Sequence, residues 1–273
     1  MTIKVQALSE PQVPPRSKLG WSLVLSGARQ IILPVATASL VIVMWEVIVD
    51  ALAISPVILP PPSAIFLRMI AQLGVLWDNA IPTAVQSLVS FALSVVFGGL
   101  LGILLVYVKP AREALYPNVV LFQLIPKVAV APLFMLWFGI GWEARVSIAV
   151  FVAFFPIVIS TAAGLNSVDP ILLRLCQSLT ATPLQVFFKV RLPSSLPHIF
   201  SGMKISMTLA IIGVIVGEFI TSQNGLGYII LFAGSRLDTS LVMAAILVLC
   251  IVGLVLYGLI VVAEWLILKR YGS

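Results

Sequence analysis

The chain has 273 residues, 61% of them apolar and only 10% charged, with a formal net charge of +6 and a mean hydropathy of +1.17. Soluble domains carry roughly a quarter charged residues, so this composition excludes a water-soluble globular fold. The bases lie in short gaps between apolar runs rather than in a stripe, which excludes a nucleic-acid face and points to membrane topology.

Residues 1–30 are polar and contain Arg16, Lys18 and Arg29, and no small-residue cleavage site follows the first apolar run. A cytoplasmic N-terminal segment is expected there, without a cleavable signal. A helix needs about 20 apolar residues to cross the hydrocarbon core. Six stretches in the transmembrane region 31–268 qualify: Ile31–Ala53, Ala84–Val108, Pro117–Phe138, Val146–Gly164, Ile199–Ile220 and Leu241–Leu268. The runs are continuous and lack the alternation of barrel strands, so the fold class is an all-α integral membrane protein.

After the first span, Leu59-Pro60-Pro61-Pro62 cannot continue a helix. Ser63 is the expected N-cap of a short helix over Ala64–Leu76, with Ile65, Phe66, Met69, Ile70 and Leu73 on one face. Glu46 and Asp50, one turn apart near the end of the first span, lack any nucleophile or metal partner and are expected to face solvent or headgroups. Gly98, Gly99 and Gly102 allow another helix to approach the second span closely. Pro126, Pro132 and Pro156 fall inside spans and permit kinks. Cys176 and Cys250 have no metal-ligand spacing and read as small apolar packers. His198 reads as an interfacial residue and Gly225-Leu226-Gly227 as a turn. The tail is 269–273.

Lys and Arg set the orientation. With a cytoplasmic N-terminus, twelve bases fall inside: Lys4, Arg16, Lys18, Arg29, Lys109, Arg112, Arg174, Lys189, Arg191, Lys204, Lys269 and Arg270. Arg68, Arg145 and Arg236 fall outside, and Lys127 lies within a span. Both termini are therefore expected in the cytoplasm.

The inner connection Asn166–Pro197 carries its own helix signals. Asp169-Pro170 is a helix start, since the carboxylate caps free amides and proline suits the first turn. Ile171, Leu172, Leu175, Cys176 and Leu179 then form an apolar stripe. Thr182-Pro183 repeats the start before Val186, Phe187 and Val190, and Lys189 and Arg191 follow near the helix end. Leu192-Pro193 and Leu196-Pro197 are expected to stop this second helix before the next span. Two amphipathic helices on the inner face imply a partner.

The stretch Val168–Gly202 resembles the EAA loop of bacterial ABC importer permeases, whose pattern is Glu-Ala-Ala, three residues, Gly, nine residues, Ile-x-Leu-Pro. Counting back from Leu192-Pro193 sets Arg174-Leu175-Cys176 on Glu-Ala-Ala, Thr180 on the glycine and Val190 on the isoleucine. The spacing and Leu-Pro match; the acid and the glycine do not. Leu59–Ser63, Pro126-Lys127-Val128-Ala129, Ala131-Pro132-Leu133, Trp137–Gly141 and Gly225–Tyr228 are similar to the sulfonate, taurine and nitrate permease subgroup, whose relatives handle aromatic carboxylates and vitamin or pyrimidine precursors.

The resemblance implies a type I importer fold with a cytoplasmic coupling helix, working as a pair of permeases, two ATP-binding subunits and a periplasmic or lipid-anchored binding protein. It also implies ATPase coupling through Arg174, Leu175, Cys176, Ser178, Thr180, Ala181, Gln185, Lys189, Leu192 and Pro193. No GxxxxGK[ST] phosphate loop and no credible catalytic triad or carboxylate pair occurs in the sequence. No cofactor is therefore expected on this chain, with ATP and Mg on the partner. Lys127 with Pro126 is a candidate for the substrate pathway, since a charge inside a span is costly enough to imply use; snorkelling to the interface is the plain alternative. Glu218 is the third candidate for the pathway: it can pair with Lys127 across the pore, contact the binding protein, or reach water at the outer interface. An ion-gradient-driven secondary transporter is the rival reading, although no internal repeat accompanies it.

Overall fold

The computed structural model describes residues 17–221 and 223–271, with side-chain surroundings for 32–220 and 223–270; most of the expected segment 1–30 lies outside the described residues. The helices are α1 (Ser17–Ala51), α2 (Pro62–Ala71), α3 (Leu73–Tyr107), α4 (Lys109–Leu124), α5 (Ala131–Phe138), α6 (Trp142–Asn166), α7 (Pro170–Ser178), α8 (Pro183–Val186), α9 (Leu192–Thr221), α10 (Leu226–Ser235) and α11 (Thr239–Tyr271). Among the described residues five helical stretches are long and apolar enough to cross a membrane, and α4 with Lys127–Phe138 meets the same test as a pair bent by 94°. The bundle has a loop end, which bears α7 and α8, and a far end, which bears α2 and α10.

α6 is the axis of the bundle, gripped by α3 on one side and α9 on the other. Its contacts are backbone-close because the facing residues are small. A Cβ on Gly98 would stand 2.9 Å from Ile157 Cβ, and one on Gly102 would stand 2.7 Å from Thr161 Cβ. Of the three glycines expected to permit this approach, Gly99 has nothing within 4 Å and takes no part. On the opposite flank, a Cβ on Gly213 would stand 2.5 Å from Ala149 Cα. Hydroxyls supplement the packing: Ser206 Oγ donates to the Ala153 carbonyl at 2.8 Å, and Ser90 and Ser94 donate to Val146 and Val150 at 3.4 Å.

Two ion pairs tie α11 to the rest. Lys204, counted above among the inner-side bases, lies within α9, and its Nζ meets Glu264 Oε2 at 2.5 Å. At the far end Arg68 donates through Nε and Nη2 to Asp238 Oδ2 at 3.1 and 2.5 Å, while Asp238 Oδ1 accepts from the Leu241 amide at 3.1 Å. One carboxylate thus anchors α2 and caps α11. The far-end core gathers Ile65, Leu76, Ala80, Leu226, Ile229 and Leu241. α1 joins it through the partly buried Trp45, whereas Val35, Leu40 and Val43 are exposed.

Several local expectations are corrected. The α2 helix starts at Pro62 behind Pro61, and no side chain of its own caps it. Instead Glu46 of α1 accepts from Ser63 N at 3.0 Å and from Ser63 Oγ at 2.5 Å. The carboxylate expected in solvent therefore caps a neighbouring helix and complements its dipole. α2 also buries less than its pattern implied: Ile65 is buried and Met69 packs inward, but Phe66, Ile70 and Leu73 stay exposed. Arg145 is buried in the first turn of α6, which bears on its exposure and not on the side of the membrane that the charge count assigns it.

The third span is not a continuous helix. Ile125 takes an extended ψ of 132° ahead of Pro126, as the clash with a following proline ring demands. Pro126 and Pro132 then deprive two successive turns of a donor, and the chain restarts as a tight 3-10 turn over Lys127–Val130 and as α5. The fourth-to-fifth connection errs the other way. Leu192-Pro193 and Leu196-Pro197 do not stop the chain; Pro183–Ile220 runs through as one 38-residue helical stretch. A π-turn over Phe187–Arg191 widens the helix just before Pro193, which relieves the ring clash and the missing donor.

Candidate functional site

Three places gather the residues singled out from the sequence. At the loop end, α7 begins as its sequence specifies: Asp169 Oδ1 accepts from the Ile171 amide at 2.7 Å, with Pro170 next. Its apolar stripe is not covered by the described residues, since Ile171 is 68%, Leu175 53% and Leu179 70% exposed. Arg174, Ser178, Thr180, Gln185 and Lys189 are exposed, and Cys176, Ala181, Leu192 and Pro193 half-buried. Ser178 Oγ is turned back onto the Leu175 carbonyl at 2.8 Å.

The C-terminus of α7 explains the glycine of the family pattern. The Thr180 amide donates to Gln177 O and the Ala181 amide to Cys176 O, both at 3.0 Å. These two bonds are a Schellman closure, whose pivot residue must be left-handed. Thr180 is that pivot, with φ 55°. A β-branched residue is disfavoured there by about 1 kcal/mol or more. Thr180→Gly is expected to relieve this strain and slow hydrogen exchange of the Ala181 amide about threefold, net of glycine's greater freedom in the open loop. Unchanged or faster exchange would show that the loop absorbs the left-handed threonine without strain.

The second half of the loop is fixed by a reciprocal capping box: Gln185 N donates to Thr182 Oγ1 at 3.3 Å and Thr182 N to Gln185 Oε1 at 2.9 Å. Only one turn of α-helix follows before the π-turn, so the second amphipathic helix is the start of α9 and not a separate element. Tyr107, the last residue of α3, meets this turn. Its ring lies edge-on to Phe187, 5.8 Å between centroids, and Arg191 Cζ lies 5.4 Å above it. The loop is thereby tied to α3 as well as to its covalent neighbours.

The second place is the break after α4. Lys127 opens the tight turn there, half-buried, with Nζ 5.5 Å from the Phe155 ring centroid. Pro126 beside it is exposed. Phe155 also lines a cavity of about 660 Å³ between α3, α4, α5 and α6. Phe97, Phe122, Phe134, Phe138, Phe151 and Phe154 line it as well, and Asn118 and Ser147 are its polar residues.

The third place is at the far end. Glu218, for which the sequence leaves open a pairing with Lys127, contact with a binding protein or water at the interface, is 1% exposed. Its carboxylate accepts from Thr83 Oγ1 at 2.7 Å and from the Gly227 amide at 2.8 Å. The Leu226 amide donates to Thr83 Oγ1 at 2.9 Å and the Gly225 amide to Asn79 Oδ1 at 2.8 Å. Three successive amides at the start of α10, which no turn of its own helix can satisfy, are thus held by side chains of α3 and α9. Gly225 has φ 103°, and a Cβ there would overlap the Glu218 carboxylate. Among the described residues no ion pair joins Lys127 to Glu218, so the pairing considered from sequence is not formed. The spacing of Asn79 and Thr83, one turn apart on α3, was the available signal for this clamp. The apolar ten residues after Gly225 were the signal for α10.

Residues 94–267 match the family described as binding-protein-dependent transport system inner membrane component. A probable ABC transporter permease protein of Haemophilus influenzae is 31% identical over 234 residues, covering 86% of this chain and 94% of that protein. The formylaminopyrimidine transport permease protein of Halalkalibacterium halodurans is 34% identical, covering 79% and 86%. The taurine transport system permease protein of Escherichia coli is 30% identical, covering 88% and 89%. Among solved structures, the inward-facing MetNI methionine ABC transporter aligns with a TM-score of 0.61 at 23% identity, over 74% of this chain and 98% of that one.

Proposed function

Because this chain belongs to the binding-protein-dependent transport system inner membrane component family, we propose that two copies of it enclose the solute pathway of an importer, with each Asn166–Pro197 loop seated on an ATP-binding subunit. The chain is a permease subunit of an ABC importer with the type I fold, resident in the inner membrane. Such a subunit transports and does not catalyse. In our reading ATP and Mg sit on the partner ATPase, ATP rather than an ion gradient supplies the energy, and the loop end with both termini faces the cytoplasm.

The observation that carries the docking is α7 itself. A helix capped at both ends, with Ile171, Leu175 and Leu179 bare, is stable enough to persist and too apolar to stand alone in water. Closure of the ATPase pair on ATP would draw two such helices together. The π-turn and the Tyr107–Phe187–Arg191 contact would pass that motion to α9 and α3, opening the far end to a loaded binding protein; hydrolysis would reverse it. Single cysteines at Ser178 and Gln185 are expected to crosslink to a co-expressed ATPase. Failure at every position from Arg174 to Lys189 would count against the docking.

For the solute, Lys127 favours a small organic or inorganic anion such as a sulfonate, taurine or nitrate. The phenylalanine-lined cavity beside it favours, second, an aromatic carboxylate or a pyrimidine or vitamin precursor, whose ring would stack there. Glu218 supports the far-end frame of this pathway and not its lining. Lys127→Met is expected to lower uptake of an anionic solute about tenfold, the effect of losing one desolvated charge contact. Normal uptake by that variant would remove Lys127 from the pathway.

A further inference from the structure

We propose that a second cavity, at the loop end between Phe188, the start of α9 and the last turns of α11, binds one anionic phospholipid. The cavity has a volume of about 610 Å³, within the usual range for ligand sites. Its walls are Phe188, Leu192, Leu196, Leu266 and Ile267, and Arg270 is its one charged residue. Phe188 and Leu266 are 61% and 56% exposed, so the walls are open to whatever lies beside the bundle.

Depth and charge together select the occupant. Trp265 is exposed on α11, with Lys269 Nζ 5.0 Å from its ring. A tryptophan under a lysine in the last turns of a span marks the headgroup boundary. Arg270 follows five residues later, about 7 Å further along the axis, at the level of lipid phosphates. Among the described residues no ion pair involves Arg270, whereas the neighbouring Lys204 and Glu264 are paired with each other. A soluble anion would satisfy Arg270 and leave five apolar walls wet. A zwitterionic phospholipid would cover the walls, but its own ammonium competes for its phosphate and leaves no net negative charge for the guanidinium. A phospholipid of net negative charge does both, with the phosphate on the guanidinium and an acyl chain along Leu196, Leu266 and Ile267. Phe188 and Leu192 also belong to the π-turn and the start of α9, so the lipid would brace the segment that joins the loop to the spans.

The purified full-length permease is exposed in detergent to equal amounts of phosphatidylglycerol and phosphatidylethanolamine, and retained lipid is counted by native mass spectrometry. About fivefold more phosphatidylglycerol than phosphatidylethanolamine is expected on the wild type, as one interfacial cation provides. Arg270→Gln is expected to abolish that preference. Leu266→Trp, which fills the cavity and keeps the charge, is expected to lower retention of both lipids; Leu196→Phe serves if that variant is not monodisperse. Lys109→Gln, away from the cavity, is expected to retain the preference. Equal retention on the wild type would overturn the proposal. So would a preference that survives the cavity-filling change, which would mean headgroups adsorb to a basic surface, or one lost equally in Lys109→Gln. Loss of lipid only when the ATPase is added would assign the cavity to that subunit and overturn it too.

Discussion

Gly213→Val is expected to prevent α9 from seating on α6, leaving little monodisperse protein after detergent extraction. The atom that blocks a side chain here is Ala149 Cα, only 2.5 Å from the position of a new Cβ. Backbone cannot rotate away as a long side chain does, so the two helices must separate. Separation by even 1 Å loosens the whole seam, including the Ser206–Ala153 hydrogen bond and the packing of Met207 and Ala210, which are 1% and 0% exposed. Overpacking costs about 1–3 kcal/mol in soluble cores and more where nothing can yield, and total stability is of order 5–15 kcal/mol. Gly99→Val is the matched control: nothing lies within 4 Å of Gly99, and valine there should leave size-exclusion profile and Tm nearly unchanged. Equal behaviour of the two variants would refute the α6–α9 seam as the organising contact.

The second large effect is expected at Glu218. Glu218→Ala removes the acceptor of both the Gly227 amide and the Thr83 hydroxyl at a site that water does not reach. A stranded donor costs about 1–3 kcal/mol; the Gly227 amide is stranded outright, while the Thr83 hydroxyl keeps the longer bond to the Asn79 carbonyl at 3.2 Å, so a loss of roughly 1–4 kcal/mol is expected. Glu218→Gln keeps the volume and one good acceptor and should lose less. Thr83→Val strands the Leu226 amide and one carboxylate oxygen, and should fall between the two. The double variant should lose less than the sum, because both changes break the same bond. The readouts are Tm and hydrogen exchange at Gly225–Gly227. Exchange there unaltered in Glu218→Ala would mean that α10 does not depend on the clamp.

The sequence was informative wherever a signal is local. Apolar length alone located the spans, because the bilayer permits so few alternatives. The Asp169-Pro170 and Thr182-Pro183 starts were read correctly because a cap and its amide lie within three residues. Thr180 was set on the glycine by register, and the left-handed φ now supplies the reason for that position. Prolines were the ambiguous case. At Pro126 the rule for chain breaking applied in full, because Pro132 followed before a helix could recover; at Pro193 and Pro197 a π-turn overrode it. Glu218 was not legible, since its partner Thr83 is 135 residues away. An acid near a span end looks the same in sequence whether it meets water or a helix terminus.

The unbroken stretch from Pro183 to Ile220 has a mechanical meaning. It is 38 residues long, hence about 57 Å at 1.5 Å per residue, nearly twice the roughly 30 Å hydrocarbon core. It is held on α6 at two points, Gly202 against Ser160 and Gly213 against Ala149, about 28 and 45 Å from the loop end. A beam fixed at two points about 16 Å apart cannot pivot on either. A push at Pro183 would therefore carry α9 and α6 together and reach the Glu218 clamp, about 7 Å past the second support, undivided. The stroke at the far end is then set by the movement of the α6–α9 pair and not by leverage within one helix.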